Sequence, residues 1–356
     1  MVDLQVHKQL KIKSNIKKYQ INFDINFYKI IKNYNENEVF FLVDKNIIKN
    51  YTQISTKIKK KIIIPFNSSE KSKEYSFVSN IIEKLLKKGI KKNSLLVVIG
   101  GGISQDVGGF ISSILFRGIR WHFFPTTLLS QGDSCIGSKT SINFKQNKNQ
   151  IGTFNPPNQI YVDYNFLKSL NKSDLFSGLG EMSHYLIIGG KQKFKILQNQ
   201  LNKKKITYNK LVLESLKIKK KYIELDEFDN NIRNILNYGH TFGHAIESAT
   251  NFKVSHGIAV AMGIDISNFF SFKYNLMKNK ERLSIQKTLY KIFHIIDFKL
   301  ININKVLNAI KNDKKATKDF VNLILCIKLG KIIIRKVKID NSFKIILSEY
   351  FKNLPC

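Results

Sequence analysis

Cysteine is scarce in this 356-residue chain, and its three residues, Cys135, Cys326 and Cys356, lack the spacing of a metal-binding motif. An odd number of cysteines also argues against a disulfide framework. Long apolar runs are missing too: no stretch of about eighteen apolar residues occurs, so no transmembrane helix is expected. The first fourteen residues have no apolar signal core, which excludes a secretory signal there and predicts a cytoplasmic protein.

Acidic residues are few compared with basic ones, and the formal net charge is +33. Such a charge normally suggests a polyanionic partner such as nucleic acid. The basic residues, however, are nearly all lysine and are scattered along the chain. Lys, Asn, Ile, Phe and Tyr are over-used together, as AT-rich codons would produce. Codon bias therefore explains the charge at least as well, and no nucleic-acid partner is predicted.

Short apolar runs alternate with helical patterns in the first half of the chain. The runs that suit buried parallel strands are Glu38–Asp44, Lys61–Phe66, Leu95–Ile99 and Ile119–Phe124. Apolar residues at helical spacing predict a helix over Glu74–Lys88, which stops at Gly89. The alternation predicts a parallel sheet covered by helices on both faces. The chain is also long enough for two domains.

Three glycines, Gly100, Gly101 and Gly102, follow the third predicted strand and lead into a helix whose first turn should contain Asp106. Glycines let a pyrophosphate approach the backbone closely, and the helix N-terminus offers it free N–H groups. Asp44, at the end of an earlier strand, could accept hydrogen bonds from a ribose. The spacing departs from the strict G-x-G-x-x-G fingerprint. The turn therefore indicates a dinucleotide site, with a tight strand–helix connection as the alternative.

Three of the seven histidines lie between Asn237 and His256. His240 and His244 are four residues apart in Ile232–Ala249, which is predicted as one helix, so their imidazoles should share a face. His256 follows in a Ser-His-Gly turn. Neutral imidazole is a common zinc ligand, but two imidazoles do not complete a site. A carboxylate from elsewhere is needed, and without one a core and a surface histidine explain the pair.

The segment Phe116–Phe154 mixes polar and cationic residues with glycines and an apolar framework. Lysine and arginine neutralise phosphates and carboxylates through charge-assisted hydrogen bonds. The segment therefore predicts the floor of a pocket for a phosphorylated, carboxylated ligand. Its polar and cationic members are Arg117, Asp133, Lys139, Lys148 and Asn149.

Eight segments of the chain resemble the 3-dehydroquinate synthase family, in order and in spacing, from about Val43 to about Leu329. These segments are GGGISQDVGGF, FRGIR, PTTLLSQGDSCIGSKT, KNQIGTF, SGLGEMSHY, DEFDNNIRNILNYGHTFGHAIE, SHGIAVAMG and DKK. The resemblance implies an α/β NAD-binding domain with a parallel, Rossmann-like sheet over residues 1–170. It further implies a mainly α-helical metal- and substrate-binding domain over residues 171–356.

The resemblance also assigns residues to the cofactor and the metal. The positions that match NAD contacts are Asp44, Glu70, Lys73, Gly101, Gly102, Asp106, Thr126, Thr127, Lys139, Lys148, Phe166 and Ser169. The metal ligands fall on Glu181, His240 and His256, so SGLGEMSHY supplies the missing carboxylate. The implied metal is Zn²⁺, with Co²⁺ as a substitute.

Substrate contacts are implied at a further set of positions. They are Asp133, Lys139, Lys148, Asn149, Lys219, Arg233, Asn237 and His244. Arg117 matches an arginine that reaches into the site of a partner subunit, which implies a homodimer. Lys314 or Lys315 matches a lysine near the substrate phosphate. The helix-face argument alone would instead have made His244 a metal ligand beside His240.

The implied reaction converts 3-deoxy-D-arabino-heptulosonate 7-phosphate into 3-dehydroquinate and phosphate, the second step of the shikimate pathway. It is a phosphorus–oxygen lyase reaction in which NAD⁺ is regenerated, so no net redox change results. Another sugar phosphate cyclase is one alternative, although Lys219, Arg233 and Asn237 favour dehydroquinate. A metal-dependent polyol dehydrogenase would accumulate NADH, and a nucleic-acid-binding protein would bind DNA with steep salt dependence.

His184 is the clearest departure from the family at the site. The family usually has lysine three residues after the metal-binding glutamate, where this chain has His184. Glu181 and His184 share one face of a helix. His184 is therefore predicted to be a donor to the substrate or to Glu181. The alternatives are a neutral neighbour of the ligands and drift towards a weaker enzyme.

Overall fold

The computed structural model describes residues 8–34, 38–58, 62–145, 147–312 and 319–354. The chain forms two compact units. The first contains the described residues up to Leu170 together with Ile223–Phe228, and the second contains Asn171–Tyr222 and the described residues from Asp229 onward. The return of 223–228 to the first unit was not predicted. The division of function between the two domains stays a prediction.

Glu227 explains why this returning segment belongs to the first unit. Its buried carboxylate accepts hydrogen bonds from the Ser14 hydroxyl at 2.5 Å, the Asn15 amide at 2.6 Å and the Ser138 hydroxyl at 3.1 Å. A buried carboxylate without such donors would be strongly destabilising. The three donors thus hold 223–228 against the first unit.

The strands of the first unit form a main sheet and a separate hairpin. Their bounds are β1 (Gln9–Ile12), β2 (Tyr19–Asn22), β3 (Val39–Asp44), β4 (Ile63–Phe66), β5 (Leu95–Gly100), β6 (Arg120–Pro125), β7 (Lys139–Phe144), β8 (Asn147–Phe154) and β9 (Gln159–Tyr161). The described residues give the order β1-β2-β9-β6-β5-β3-β4, with β7 and β8 paired as the hairpin. All neighbours in the main sheet are parallel except β1 and β2. The four predicted strands are confirmed.

Helices follow the strands of the first unit. Their bounds are α1 (Phe27–Ile31), α2 (Lys45–Asn50), α3 (Gln53–Lys57), α4 (Tyr75–Lys87) and α5 (Gly102–Ile114). Every residue of β3 and β5 is buried, as expected for parallel strands covered on both faces. Because β4 and β5 lie on opposite sides of β3, the strand order reverses there. Ligands of such sheets bind at the carboxyl ends of the strands at this reversal.

The second unit is mainly helical. Its helices are α6 (Lys172–Ile188), α7 (Lys191–Leu201), α8 (Tyr208–Leu225), α9 (His240–Ala249), α10 (His256–Lys273), α11 (Asn279–Phe293), α12 (Ile303–Lys311) and α13 (Asn341–Lys352), and its hairpin pairs β10 (Phe320–Lys328) with β11 (Lys331–Lys338). The last residues of α8 belong to the first unit. The α10 helix is buried on all sides from Gly257 to Ser271, so it is the core helix of this unit. Among the described helices, none has the length and apolar character to span a membrane.

Glycines allow α10 to cross α6 and α9 at very short range. A Cβ atom on Gly257 would lie 1.8 Å from the Ser177 carbonyl oxygen, and one on Gly180 would lie 1.9 Å from the Gly257 carbonyl oxygen. A Cβ on Gly263 would lie 2.1 Å from the Gly239 carbonyl oxygen. Only glycine fits these contacts, since real side-chain atoms do not approach so closely. The crossings therefore bring the sequence neighbours of these glycines close together in space.

The prediction of one helix over Ile232–Ala249 is wrong. Ile232–Asn237 forms a 3-10 helix, and α9 begins only at His240. The interruption is at Gly239, whose φ of 85° is a left-handed conformation that glycine adopts without strain. The predicted turn at His256 is also wrong, because His256 is the first residue of α10. In the first unit, Asp106 lies in the second turn of α5 rather than the first, because the helix begins at Gly102.

Candidate active site

A buried carboxylate lies at the centre of the second unit. Glu181 is 4% exposed and comes from α6. Its Oε1 atom is 3.3 Å from Nε2 of His240, and its Oε2 atom is 3.3 Å from Nε2 of His256. These imidazoles come from the first residues of α9 and α10. The glycine crossings therefore bring the three predicted metal ligands together.

The Glu181 carboxylate and the neighbouring imidazoles stabilise each other's charged forms. Burial alone would raise the pKa of Glu181, but His240 and His256 outweigh it and hold that pKa well below its ordinary value. For His256, burial would lower the pKa, whereas the Glu181 and Glu247 carboxylates raise it well above its ordinary value. Glu181 is thus kept ionised, which is the form that binds a cation.

Each histidine is oriented through its other ring nitrogen. His256 Nδ1 lies 2.9 Å from Glu247 Oε2, and His240 Nδ1 lies 3.4 Å from the Tyr238 carbonyl oxygen. A hydrogen bond from Nδ1 to a carboxylate or carbonyl fixes the tautomer and directs Nε2 to a metal. Both Nε2 atoms point at Glu181, an orientation that suits the predicted binding of a metal.

The 3.3 Å contacts of Glu181 match the separation expected between two ligands of one metal ion. Ligand atoms about 2.0–2.1 Å from a tetrahedral zinc ion lie about 3.3 Å from one another. The Glu181 contacts to His240 and His256 have this separation, whereas the Glu247 hydrogen bond to His256 is shorter at 2.9 Å. Among the described residues, none donates a hydrogen bond to the buried Oε2 atom of Glu181. Two imidazoles and one carboxylate also match catalytic zinc sites, which keep one position open.

Two further histidines border this cluster. Potential ligand atoms of His240, His244 and His256 lie within 4.8 Å of one another, and so do those of Glu181, His184 and His240. His244 is exposed, and its ring centroid is 5.4 Å from that of His240. The shared helix face of His240 and His244 is thus present. The assignment of His244 to the substrate rather than the metal stays a prediction.

Predicted substrate contacts of the second unit include two buried cations. Lys219 is 7% exposed and Arg233 is 6% exposed. The Lys219 Nζ atom lies 5.9 Å from the centroid of the Tyr185 ring. Asn237 is partly buried and donates to the Asn234 carbonyl at 3.1 Å. Burying lysine or arginine is costly, so such residues usually serve a specific anionic partner.

The first unit brings together four other predicted residues. Lys73 Nζ donates to Asp106 Oδ2 at 2.7 Å and to Asn149 Oδ1 at 2.6 Å. Asn143 joins Glu70 to this group, because its Nδ2 donates to Glu70 Oε1 at 2.8 Å and its Oδ1 accepts from the Asn149 amide at 3.0 Å. Burial raises the pKa of Asp106 despite the opposing effect of Lys73. These side chains form a hydrogen-bonded polar cluster near the start of α5.

The glycine turn lies at the predicted place in the sheet. Asp44 ends β3, and Gly100 ends the neighbouring β5 at the reversal of strand order. The N-terminus of α5 has no side-chain cap, so its first N–H groups can bind an anion. A Cβ on Gly101 would lie 3.0 Å from Thr127 Cγ2. Asp44 Oδ1 also accepts from the Asn46 amide at 2.9 Å. These features fit a dinucleotide pyrophosphate and ribose.

Other predicted positions of the first unit differ in exposure. Thr126 is buried, and its amide donates to the Gly100 carbonyl at 2.9 Å. Phe166 packs in the core against Phe27 and Tyr51, while Ser169 is exposed and donates to the Phe166 carbonyl. The Phe166 ring is therefore mainly a core group.

The remaining predicted residues lie on turns and on the hairpin. Lys139 and Lys148 are exposed on β7 and β8, and Asp133 is in a π-helical turn over Ser130–Ser134. Arg117 is exposed after α5 with a φ of 60°. Lys314 and Lys315 lie outside the described residues.

Sequence reasoning missed the residues that orient the predicted ligands. Glu247 holds His256, and Asn143 connects Glu70 with Asn149. Helical spacing offered one signal, because Glu247 lies seven residues after His240 and so on the same face of α9. No local pattern indicates Asn143, whose role depends on the pairing of β7 with β8.

Two solved structures of known proteins have a fold similar to that of this chain. A 2-deoxy-scyllo-inosose synthase structure complexed with carbaglucose-6-phosphate, NAD⁺ and Co²⁺ is 22% identical, with a TM-score of 0.86 over 96% of this chain and 100% of that one. The 2-epi-5-epi-valiolone synthase from Streptomyces hygroscopicus, with NAD⁺ and Zn²⁺ bound, is 18% identical, with a TM-score of 0.77 over 95% of this chain and 99% of that one. At these identities the likeness establishes only that this chain shares the fold of these two synthases.

Sequence comparison identifies the family. The model of the 3-dehydroquinate synthase N-terminal domain matches residues 63–177, and that of the C-terminal domain matches residues 178–316. The 3-dehydroquinate synthase of Pelagibacter ubique is 36% identical over 348 residues, covering 90% of this chain and 93% of that protein. The 3-dehydroquinate synthase of Dictyoglomus thermophilum is also 36% identical, and the match covers 91% of this chain and 93% of that protein. The chain belongs to the 3-dehydroquinate synthase family, which confirms the predicted family and fold class.

Proposed function

We propose that this protein catalyses the 3-dehydroquinate synthase reaction, which converts 3-deoxy-D-arabino-heptulosonate 7-phosphate into 3-dehydroquinate and phosphate. The observation that carries the proposal is Glu181, a buried carboxylate 3.3 Å from the Nε2 atoms of both His240 and His256. Relatives that match nine-tenths of the chain carry the same name. The lyase class, a homodimeric state and a cytoplasmic location are part of the proposal.

Glu181, His240 and His256 would hold a divalent metal, and two solved structures of similar fold contain Co²⁺ or Zn²⁺. A metal ion in this position lowers the pKa of a coordinated substrate hydroxyl and so eases loss of its proton. The chain supplies the ionised carboxylate and fixes the ring orientations through Glu247 and the Tyr238 carbonyl. His244, exposed beside this site, is proposed to contact the substrate.

The first unit would bind NAD⁺ at the glycine turn. The free N–H groups of α5 would receive the pyrophosphate, and Asp44 at the end of β3 would accept hydrogen bonds from a ribose. NAD⁺ supplies a hydride acceptor that returns the hydride in the same turnover. Lys73, oriented by Asp106 and Asn149, would present a fixed cation to this ligand.

Cationic residues would hold the two anionic ends of the substrate. Lys219 and Arg233 are buried, so their charges act in a low dielectric and attract a carboxylate or phosphate more strongly than surface lysines do. Fixing both ends positions the reacting carbon, and positioning supplies much of the rate enhancement in such reactions.

A product assay tests the proposal. The protein, Zn²⁺, a small amount of NAD⁺ and the heptulosonate phosphate should release phosphate and form dehydroquinate in equal amounts, with no steady rise in absorbance at 340 nm. Many product molecules should form for each NAD⁺ present. Stoichiometric NADH without phosphate release would instead identify a dehydrogenase and refute the proposal. A product other than dehydroquinate would identify a different cyclase.

A further inference from the structure

His184 makes a direct contact with the proposed metal ligand of α6. It lies three residues after Glu181 on the same helix face, and both side chains are almost fully buried, at 1% and 5% exposed. Nε2 of His184 is 3.3 Å from Oε1 of Glu181 in hydrogen-bonding geometry. The His184 ring stands perpendicular to that of His240, with 5.3 Å between their centroids. His184 is therefore part of the wall of the site.

The two oxygen atoms of Glu181 have different neighbours. Oε2 faces His256, whereas Oε1 faces both His240 and His184. His184 groups with Glu181 and His240 by ligand spacing, while His256 groups with His240 and His244. His184 thus lies on the far side of Glu181 from His256. This position suits a donor to the carboxylate better than a ligand to a metal held between His240 and His256.

We propose that His184 is a positioning residue whose Nε2–H group donates to Oε1 of Glu181 and fixes the carboxylate between His240 and His256. The inference rests on the proposed metal site. Hydrogen bonds to metal-binding carboxylates set their orientation and strengthen metal binding. An imidazole can donate one hydrogen bond from Nε2, and this single contact is what the positioning role requires. His184 thereby increases metal affinity in this chain.

A matched pair of amides tests this role. In His184→Gln the side-chain amide nitrogen can occupy the place of Nε2 and still donate to Glu181. In His184→Asn the same amide is one methylene shorter and cannot reach Oε1. His294→Gln changes an exposed histidine as the control. Zinc affinity is measured by competition with a chromogenic chelator, and the Co²⁺-loaded proteins are compared by visible absorption. Circular dichroism verifies that each variant is folded.

We expect His184→Gln and His294→Gln to bind zinc within about threefold of the unaltered chain, with an unchanged Co²⁺ spectrum. His184→Asn should bind zinc about 10–100-fold more weakly. Unaltered affinity in His184→Asn would refute the positioning role. Equal losses in His184→Gln and His184→Asn would also refute it, and an altered Co²⁺ spectrum in His184→Gln would identify a direct ligand. If the unaltered chain binds no zinc, the proposed function fails instead.

Discussion

At the residue scale, the site depends on side chains that touch the ligands rather than on the ligands alone. His256 was predictable as a ligand through the family resemblance, but its partner Glu247 was not. The 2.9 Å hydrogen bond between them fixes which nitrogen faces Glu181. That contact joins the end of α9 to the start of α10, and no sequence pattern specifies how two helices are packed. Residues that orient ligands across elements are therefore the part of a site that sequence reveals least.

His122 provides a test of electrostatics away from the site. It is partly buried in β6, and its Nδ1 lies 2.8 Å from the Tyr34 hydroxyl. Burial, with help from Arg120 and Lys17, lowers its pKa to about 4. The unfolded chain takes up this proton near pH ~6.5. Between these values the unfolded state binds more protons, so stability falls as the pH decreases through that window.

Replacing His122 by Asn removes this proton while keeping a polar atom near Tyr34. The free energy of unfolding, measured by urea titration at pH 7 and pH 4.5, should fall less for the variant than for the unaltered chain. The difference between the two losses should be about 2–3 kcal/mol. Equal losses would mean that His122 titrates normally in the folded chain.

At the element scale, the strands and the glycine turn were predictable, and the helix boundaries around the histidines were not. Continuous apolar runs such as β3 and β5 are typical of buried parallel strands. The pattern therefore predicted both that these segments are strands and that they lie inside the sheet. The apolar spacing of Ile232–Ala249 suggested one helix because periodicity cannot detect a left-handed residue such as Gly239. The apolar pattern also gives no indication of the close helix crossings. In the sequence, a glycine at such a crossing cannot be told from a glycine that merely weakens a helix.

Gly257→Ala tests the importance of the α6–α10 crossing. The new Cβ would lie 1.8 Å from the Ser177 carbonyl oxygen, so the helices must separate and carry Glu181 away from His256. We expect a loss of about 1–3 kcal/mol or more in unfolding free energy and a much weaker affinity for zinc. Both quantities are measured by denaturant titration and chelator competition.

Gly102→Ala is the matched control for that experiment. It is also a glycine at the first turn of a helix, but its Cβ would meet nothing closer than 3.6 Å. Its zinc affinity should remain unchanged, and its unfolding free energy should stay the same or rise by up to about 1 kcal/mol. Unchanged zinc affinity in Gly257→Ala as well would show that the crossing does not set the site.

At the scale of the whole molecule, most of the functional assignment came from the family resemblance. The structure then showed which of the assigned residues lie close together. Composition gave no function, because codon bias explains the charge of +33 at least as well as a polyanionic partner does. The functional assignment came from eight segments in order, because the resemblance assigns their residues to a cofactor, a metal or a substrate. The packing that joins those segments could not be read from the sequence, since it depends on contacts between residues far apart in the chain.

Arg117 allows a test of the proposed homodimer. It is exposed after α5, where the resemblance assigns it to the site of the other subunit. Arg117→Ala and His256→Ala should each be nearly inactive alone. If Arg117 acts between subunits, unfolding and refolding an equal mixture creates hybrid dimers with one intact site. Dehydroquinate formation should then recover to about one quarter of the unaltered activity. Failure to recover, with hybrid dimers verified by mass spectrometry, would place Arg117 in its own subunit's site.

The central claim is that Glu181, His240 and His256 hold the metal, and zinc content tests it most directly. After loading with zinc and dialysis, elemental analysis of the unaltered chain should give about one zinc ion per chain. His256→Ala should retain almost none, while His244→Ala should retain about one and lose turnover. A folded His256→Ala protein that keeps its zinc while His244→Ala loses it would contradict the account and place the metal on the shared face of α9.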